Sequence, residues 1–226
     1  MTDAQTLSTR RKLKTPRAAA IAGILFALLY GASLALIRIS IPADPTVESA
    51  WLQTNSRTVA LALNLMPYAG IAFLWFIGVI RDRLGDLEDR LFATVFLGSG
   101  LLFLALTFAS AAQAGGLLSS YMIAPSTLVE SGVFTYSRAV IYETINVYAI
   151  RMAGVFMISL GTIWLRTGLM RRGWAILTYA LALVLLLSIS YSLWVTLILP
   201  IWVLVVSVYF LILNLREPGM DALDEN

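Results

Sequence analysis

The side-chain types that most often carry chemistry in proteins are scarce in this chain. The sequence has no Cys and no His. The chain therefore holds no disulfide, no zinc–thiolate or iron–sulfur site, and no Ser-His-Asp or Cys-His catalytic arrangement. We predict no metal site and no cofactor.

Arg151 is the charged residue that falls inside a predicted membrane-spanning stretch. An ionised side chain in hydrocarbon costs several kcal/mol unless it is paired or reaches water. If its helix begins at Asn146, Arg151 lies about 7–8 Å deep and extends outward to the headgroups. If the helix begins near Val140, Arg151 lies deeper and needs a partner. Three carboxylates outside the spans are candidates: Glu48, Glu130 and Glu143. Three roles remain open for Arg151: it reaches the headgroups, it forms a structural ion pair, or it is a residue of a functional site.

A candidate polar pocket follows from residues at similar depth. Pro67 predicts a kink because it removes one backbone donor. Asn64 lies one turn earlier, about 9 Å below the predicted end of its span, and Tyr30 lies about 10 Å deep in the first span. The candidate pocket residues are Tyr30, Asn64, Tyr68, Asn146, Tyr148 and Arg151. The alternative for Asn64 is an interhelical hydrogen bond that only holds the bundle together. Pro200 predicts a second, structural kink.

Small residues recur every four positions along the first apolar stretch. They are Ala19, Gly23, Ala27, Gly31 and Ala35. Such a ridge lets two helix backbones approach closely in lipid. The partner is either another helix of this chain, a second copy or a partner subunit, and the sequence does not choose among them.

The composition identifies the elements that carry these residues. Of the 226 residues, 59% are hydrophobic and 13% are charged. Soluble domains carry about 25% charged residues, so the chain is neither a soluble enzyme nor a nucleic-acid-binding domain. A spanning helix needs about 20 apolar residues. We predict an all-α bundle of six transmembrane helices, at about 18–37, 58–80, 91–112, 146–166, 174–189 and 193–213.

The last two spans come from one uncharged run between Arg172 and Arg216. As a single helix this run would reach about 65 Å, roughly twice the hydrocarbon thickness. It must therefore fold back, and Ser188–Ser192 is its most polar part. Residues 114–145 are apolar for an exterior loop, which predicts either an interfacial helix or a helical extension of the fourth span that starts near Phe134.

The placement of positive charge predicts the orientation. Six spans put 12 of the 16 Lys and Arg residues on the side of the two termini, which indicates N-in and C-in topology. Residues 1–17 form a basic tail and residues 216–226 a short acidic tail. The resulting prediction is a multi-pass protein of the plasma membrane, specifically a bacterial inner membrane, with the lipid bilayer as its surroundings.

Three classes of function remain. The favoured one is a structural or accessory subunit of a membrane assembly, present as a homo-oligomer or with a partner membrane subunit. The alternative is a small-solute or ion pathway around the Pro67 kink and Arg151. An intramembrane enzyme ranks third, because the acidic residues are confined to predicted loops. No ligand follows from the sequence.

Overall fold

A computed structural model describes residues 15–41, 50–84, 90–168, 170–187 and 195–216. Nearly all residues in these ranges are helical, and the ranges contain no strand. Most of the basic tail predicted at 1–17, nearly all of the acidic tail predicted at 216–226, and the predicted turn at 188–192 lie outside the described residues.

The described residues form eight α-helices, one π-helical turn and one 3₁₀ turn. The α-helices are α1 (Thr15–Ser40), α2 (Ala50–Leu84), α3 (Arg90–Ile123), α4 (Pro125–Glu130), α5 (Val133–Glu143), α6 (Ile150–Thr167), α7 (Arg172–Leu187) and α8 (Ile198–Arg216). The π turn Thr144–Ala149 joins α5 to α6, and the 3₁₀ turn Val195–Leu197 precedes α8.

Within the part of the chain that the structure describes, five helical segments are long and apolar enough to cross a membrane. They are Ala20–Ser40, Leu52–Arg81, Leu91–Ile123, Val133–Thr167 and Val195–Ile212. The chain is thus a helical, multi-pass protein by length and composition. The sixth span, predicted at 174–189, corresponds to α7, which has 16 residues. Such a helix is about 24 Å long, short of the hydrocarbon thickness of about 30 Å.

Several helices continue beyond their predicted ends. Helix α2 begins eight residues before the predicted 58, and α3 ends at Ile123 rather than 112. The segment predicted to start at 146 is helical from Val133 onward, which is the helical extension considered for residues 114–145. The predicted boundaries were set where the apolar stretches end. The helices continue past these boundaries because their extensions pack against one another.

The extensions form a helical cap with a core of its own. We use "the cap" for residues 50–57, 113–123, α4 and α5. Its buried side chains are Leu52, Tyr121, Leu128 and Phe134, with Leu117 and Leu118 packed against them. The positive φ of Gly132, 72°, makes the turn between α4 and α5, a conformation that glycine adopts without steric cost.

The long helices run antiparallel to their neighbours. Ser33 of α1 bonds Ala62 of α2, and Phe73 of α2 contacts Phe103 of α3. The ring of Phe96 stacks on that of Phe156 in α6. Further along the chain, α6 packs on α7 and α8 packs on α1. The helices therefore form a ring in the order α1, α2, α3, α6, α7 and α8.

Aromatic side chains fill the space that these six helices enclose. Phe73 lies in the middle, with its centroid 4.6 Å from that of Phe26, 5.4 Å from Phe103 and 5.3 Å from Phe156. The contacts continue through Trp202 to Trp164. We call these six side chains, together with Tyr30, Phe76, Phe96 and Phe210, the aromatic core; all ten are buried.

Helix α7 is held differently by its two neighbours. It lies close to α6, where a side chain at Gly154 would stand 3.1 Å from the carbonyl oxygen of Ala182. It meets α8 through large side chains. The indole nitrogen of Trp202 donates to Thr178 Oγ1 at 2.9 Å, and the rings of Trp174 and Tyr209 pack at a tilt, with centroids 5.6 Å apart. Because the start of α7 faces the end of α8, these two helices are antiparallel.

Candidate functional site

Tyr30, the first predicted pocket residue, lies in the aromatic core. It is 3% exposed and packs on Phe26 and edge-on against Phe103. Its hydroxyl is hydrogen-bonded to Thr107 of α3, whose own hydroxyl donates to the Phe103 carbonyl oxygen at 2.8 Å. The Tyr30 hydroxyl therefore links two helices.

Asn64 and Tyr68 lie on the exposed side of α2, which faces away from the aromatic core. Tyr68 is 64% exposed. Pro67 between them is also exposed, inside a helix that runs unbroken from Ala50 to Leu84. Because Asn64 and Tyr68 are exposed whereas Tyr30 is buried, the structure does not bring them into one pocket with Tyr30. Pro200 is the third residue of α8, and the first turn of a helix accommodates proline without a kink.

Asn146 and Arg151 occupy the π turn and the start of α6. Thr144 Oγ1 donates to the Val140 carbonyl oxygen at 2.7 Å, and Asn146 Nδ2 donates to that of Tyr142 at 3.0 Å. Ser110 of α3 donates to the carbonyl of Ile141 at 3.3 Å. A π turn shifts backbone bonds from i−4 to i−5 and leaves a carbonyl without its helical partner. Polar side chains supply donors at this point.

Arg151 is half-buried and follows the same pattern. Its Nη1 donates to the Val147 carbonyl oxygen at 2.7 Å. Arg151 lies about 22 Å along the axis from Arg166, which is exposed at the other end of α6. The structure thus places Asn146 and Arg151 at or beside the π turn, where each donates to a carbonyl of its own helical segment, while Tyr148 is exposed.

The predicted small-residue ridge is divided along α1. A side chain at Gly23 would meet Ser207 Oγ of α8 and Phe76 of α2, so this part packs within the chain. Ala27 is buried and Ala35 is exposed. A Cβ added at Gly31 would meet no neighbouring atom within 4 Å. The surroundings of the Ala19 side chain lie outside the described residues.

Sequence reasoning missed the hydroxyl bonds that join helices in the interior. Ser33 Oγ donates to the Ala62 carbonyl oxygen at 2.6 Å. The hydroxyls of Thr162 and Tyr179 are 2.7 Å apart and join α6 to α7. The available signal was a hydroxyl in the middle of an apolar stretch, where lipid offers it no partner.

The described residues leave apolar surface exposed along all the long helices, and this surface includes two distinct patches. One is a groove of about 650 Å³ between α1 and α2. The other is the exposed face of the cap, where Ile123 is 84% exposed. The other large apolar side chains exposed on the cap are Met122, Val129, Val133 and Tyr136. Contiguous exposed apolar surface marks interaction sites.

Metal binding finds no support in the part of the chain that the structure describes, where no group of three or more carboxylates could hold an ion. No protein-family model, no curated protein and no solved structure matches the chain.

The two tyrosines of the predicted pocket allow a matched test. We expect Tyr30→Phe to lower the free energy of unfolding by about 0.6–1.5 kcal/mol, because it removes an interhelical hydrogen bond. Tyr68→Phe, the same change on an exposed residue, should stay within about 0.5 kcal/mol of the wild type. Thermal or denaturant unfolding in one detergent measures both. Equal losses for the two variants would contradict their assigned environments.

Proposed function

We propose that this protein is a structural or accessory subunit of a membrane assembly, and that it acts through its surfaces rather than through its interior. The observation that supports this is the aromatic core. Its rings contact one another from Phe26 to Phe210 across the bundle. A solute pathway needs polar groups that face water, whereas most of the interior hydroxyls described above are bonded to carbonyls or to one another.

The cap is the proposed contact surface with the partner. It begins where the apolar stretches of α2 and α3 end, and Ile123 lies about 16 Å beyond the predicted end of the third span. If the bilayer ends at the predicted residue 112, lipid tails do not reach this exposed isoleucine. A partner protein or a second copy would bury Ile123 together with Tyr136, and large aromatic and aliphatic side chains dominate the energies of such interfaces.

Two matched substitutions test this surface. Ile123→Ser should reduce the amount of copurifying partner or second copy at least fivefold, because it removes an apolar anchor. The control is Ile39→Ser at the end of α1, where the isoleucine is similarly exposed, at 76%. Native mass spectrometry after gentle extraction from the native membrane reads the stoichiometry. A lone wild-type monomer, or equal loss for both variants, would contradict the proposal.

We further propose that α7 is a sixth span and that both termini are cytoplasmic. The antiparallel packing of α7 and α8 supports this, because it puts Arg172 and Arg216 at the same end of the bundle. Lys and Arg concentrate on the cytoplasmic side of membrane proteins. A helix of about 24 Å still crosses if the bilayer thins locally or if flanking residues reach the headgroups. The charge pattern fits a plasma membrane, and we propose a bacterial inner membrane.

The topology can be tested without first removing cysteines, because the chain contains none. We expect Thr6→Cys and Asn226→Cys to resist an impermeant maleimide in intact cells and to react after permeabilisation. Ser119→Cys in the cap should react at once. Labelling of the two tails from opposite sides would indicate five spans.

A small-solute or ion pathway is the second candidate. The observation in its favour is the group of hydrogen-bonded polar side chains at and beside the π turn, because π turns occur frequently at functional sites and Arg151 is half-buried there. An arginine at this position would favour an anionic group. An intramembrane enzyme has less support, since neither Cys nor His is present.

A further inference from the structure

Arg151 lies level with the middle of the bundle rather than near an end of a span. Phe156 of α6 stacks on Phe96 of α3, and these two helices are antiparallel. From this pair of rings, Arg151 lies five residues toward the cap on α6, which is about 7–8 Å. The midpoint of the span predicted at 91–112 lies about the same distance toward the cap on α3. If hydrocarbon covers that span, Arg151 begins about 15 Å from either edge.

The guanidinium group of Arg151 has donors that the protein does not use. Arginine carries several N–H donors in a planar fork. Within the described part of the chain, Arg151 makes one hydrogen bond, from Nη1 to the Val147 carbonyl oxygen, and no ion pair. The described carboxylates Glu130 and Glu143 end the cap helices α4 and α5. Long basic side chains reach the headgroups from the ends of a span, whereas a charge at its middle is costly without a partner.

The face of α6 that carries Arg151 lies at the edge of the bundle. Arg151, Val155, Ile158 and Thr162 follow one another at helical spacing, and all four are partly exposed. This spacing puts their side chains on one face of the helix. Toward the cap, the same helical segment continues with Tyr148, which is 61% exposed. A spanning helix of another protein that lies along this face therefore meets Arg151 and extends to the cap.

The depth of Arg151 restricts the kind of group that pairs with it. Headgroup phosphates and soluble anions remain at the membrane surface, about half a hydrocarbon thickness away. A carboxylate on a spanning helix lies at the required depth. A second copy of this chain does not supply one, because every Asp and Glu of the sequence falls outside the six predicted spans. The fitting partner is a different chain with an acidic residue near the middle of a span.

We propose that Arg151 forms an intramembrane ion pair with an Asp or Glu in a spanning helix of a partner subunit. This inference rests on the proposed accessory role and names the chemistry of the partner. Guanidinium and carboxylate groups form paired, charge-assisted hydrogen bonds, and hydrocarbon offers them no competing water. The charge that destabilises the protein alone in lipid thereby selects a partner of opposite charge.

Designed spanning peptides test the site with a defined probe. The full chain is reconstituted in liposomes with a fluorescent Leu-rich helix of about 20 residues that carries one central Glu, and energy transfer measures association. We expect this peptide to bind roughly tenfold more tightly than the same peptide with Gln. Arg151→Gln, which retains an N–H donor for the Val147 carbonyl, should abolish the preference. Equal binding of the two peptides to the wild type would overturn the proposal.

The helical spacing of the α6 face supplies a matched control. Val155 lies one turn further from the cap than Arg151, on the same face. The double variant Arg151→Gln, Val155→Arg should prefer a peptide of defined orientation whose Glu is moved by one turn in the same direction. A preference for the central Glu that persists in Arg151→Gln, or that does not follow the arginine to position 155, would contradict the ion pair.

Extraction from the native membrane separates a failure of this inference from a failure of the accessory role. Loss of a copurifying subunit from Arg151→Gln, in native mass spectrometry, would support the ion pair. Full retention of that subunit would contradict the ion pair and agree with the accessory role. A lone wild-type monomer would contradict the accessory role, and the peptide measurement would then decide by itself whether Arg151 binds a carboxylate within the membrane.

Discussion

The packing of Phe73 against its neighbours holds this bundle together. One ring of α2 contacts rings of α1, α3 and α6 within 5.4 Å. Helices in lipid gain little from the hydrophobic effect, because the tails around them are equally apolar. Close packing and interhelical hydrogen bonds must supply the attraction instead. Aromatic pairs contribute about 0.5–1.5 kcal/mol each beyond their buried area, so one central ring that joins four helices fixes their relative positions.

In a filled interior, most polar groups bond to the protein itself. Ser33 bonds a carbonyl of the next helix, and Trp202 bonds Thr178 across the seam between α7 and α8. At the π turn, Asn146 and Arg151 bond carbonyls of their own helical segment. These groups are already hydrogen-bonded within the protein, and we therefore propose that interactions with other molecules fall to the apolar surfaces, namely the cap and the groove between α1 and α2, and to the remaining donors of Arg151.

The sequence predicted the helical class and five of the long apolar segments, because composition and the length of uncharged runs determine both. It did not predict which side of a helix faces inward. Tyr30 and Asn64 have similar predicted depths, yet one is buried and the other exposed, since depth says nothing about the angle around the helix axis. Hydropathy predicted a helical extension within residues 114–145 but not the core of the cap, where Leu52 and Phe134 are buried against other side chains of the protein. The sequence did not reveal that α7 is shorter than a full span, because the uncharged run that contains α7 continues into α8.

The central claim is that the aromatic core closes the interior of the bundle to water. The accessibility of interior positions to a water-soluble reagent tests this claim most directly. Ser33, Ser99 and Ser159 are buried on α1, α3 and α6, and replacement by cysteine is nearly isosteric in a chain that lacks native cysteine. Each variant would be exposed to a small charged thiol reagent in liposomes, with Ser120→Cys in the cap as the reactive reference. A closed aromatic core predicts that the reference reacts fully and that the three interior cysteines do not. Reaction of the interior cysteines from either side would show a water-filled path and contradict the account.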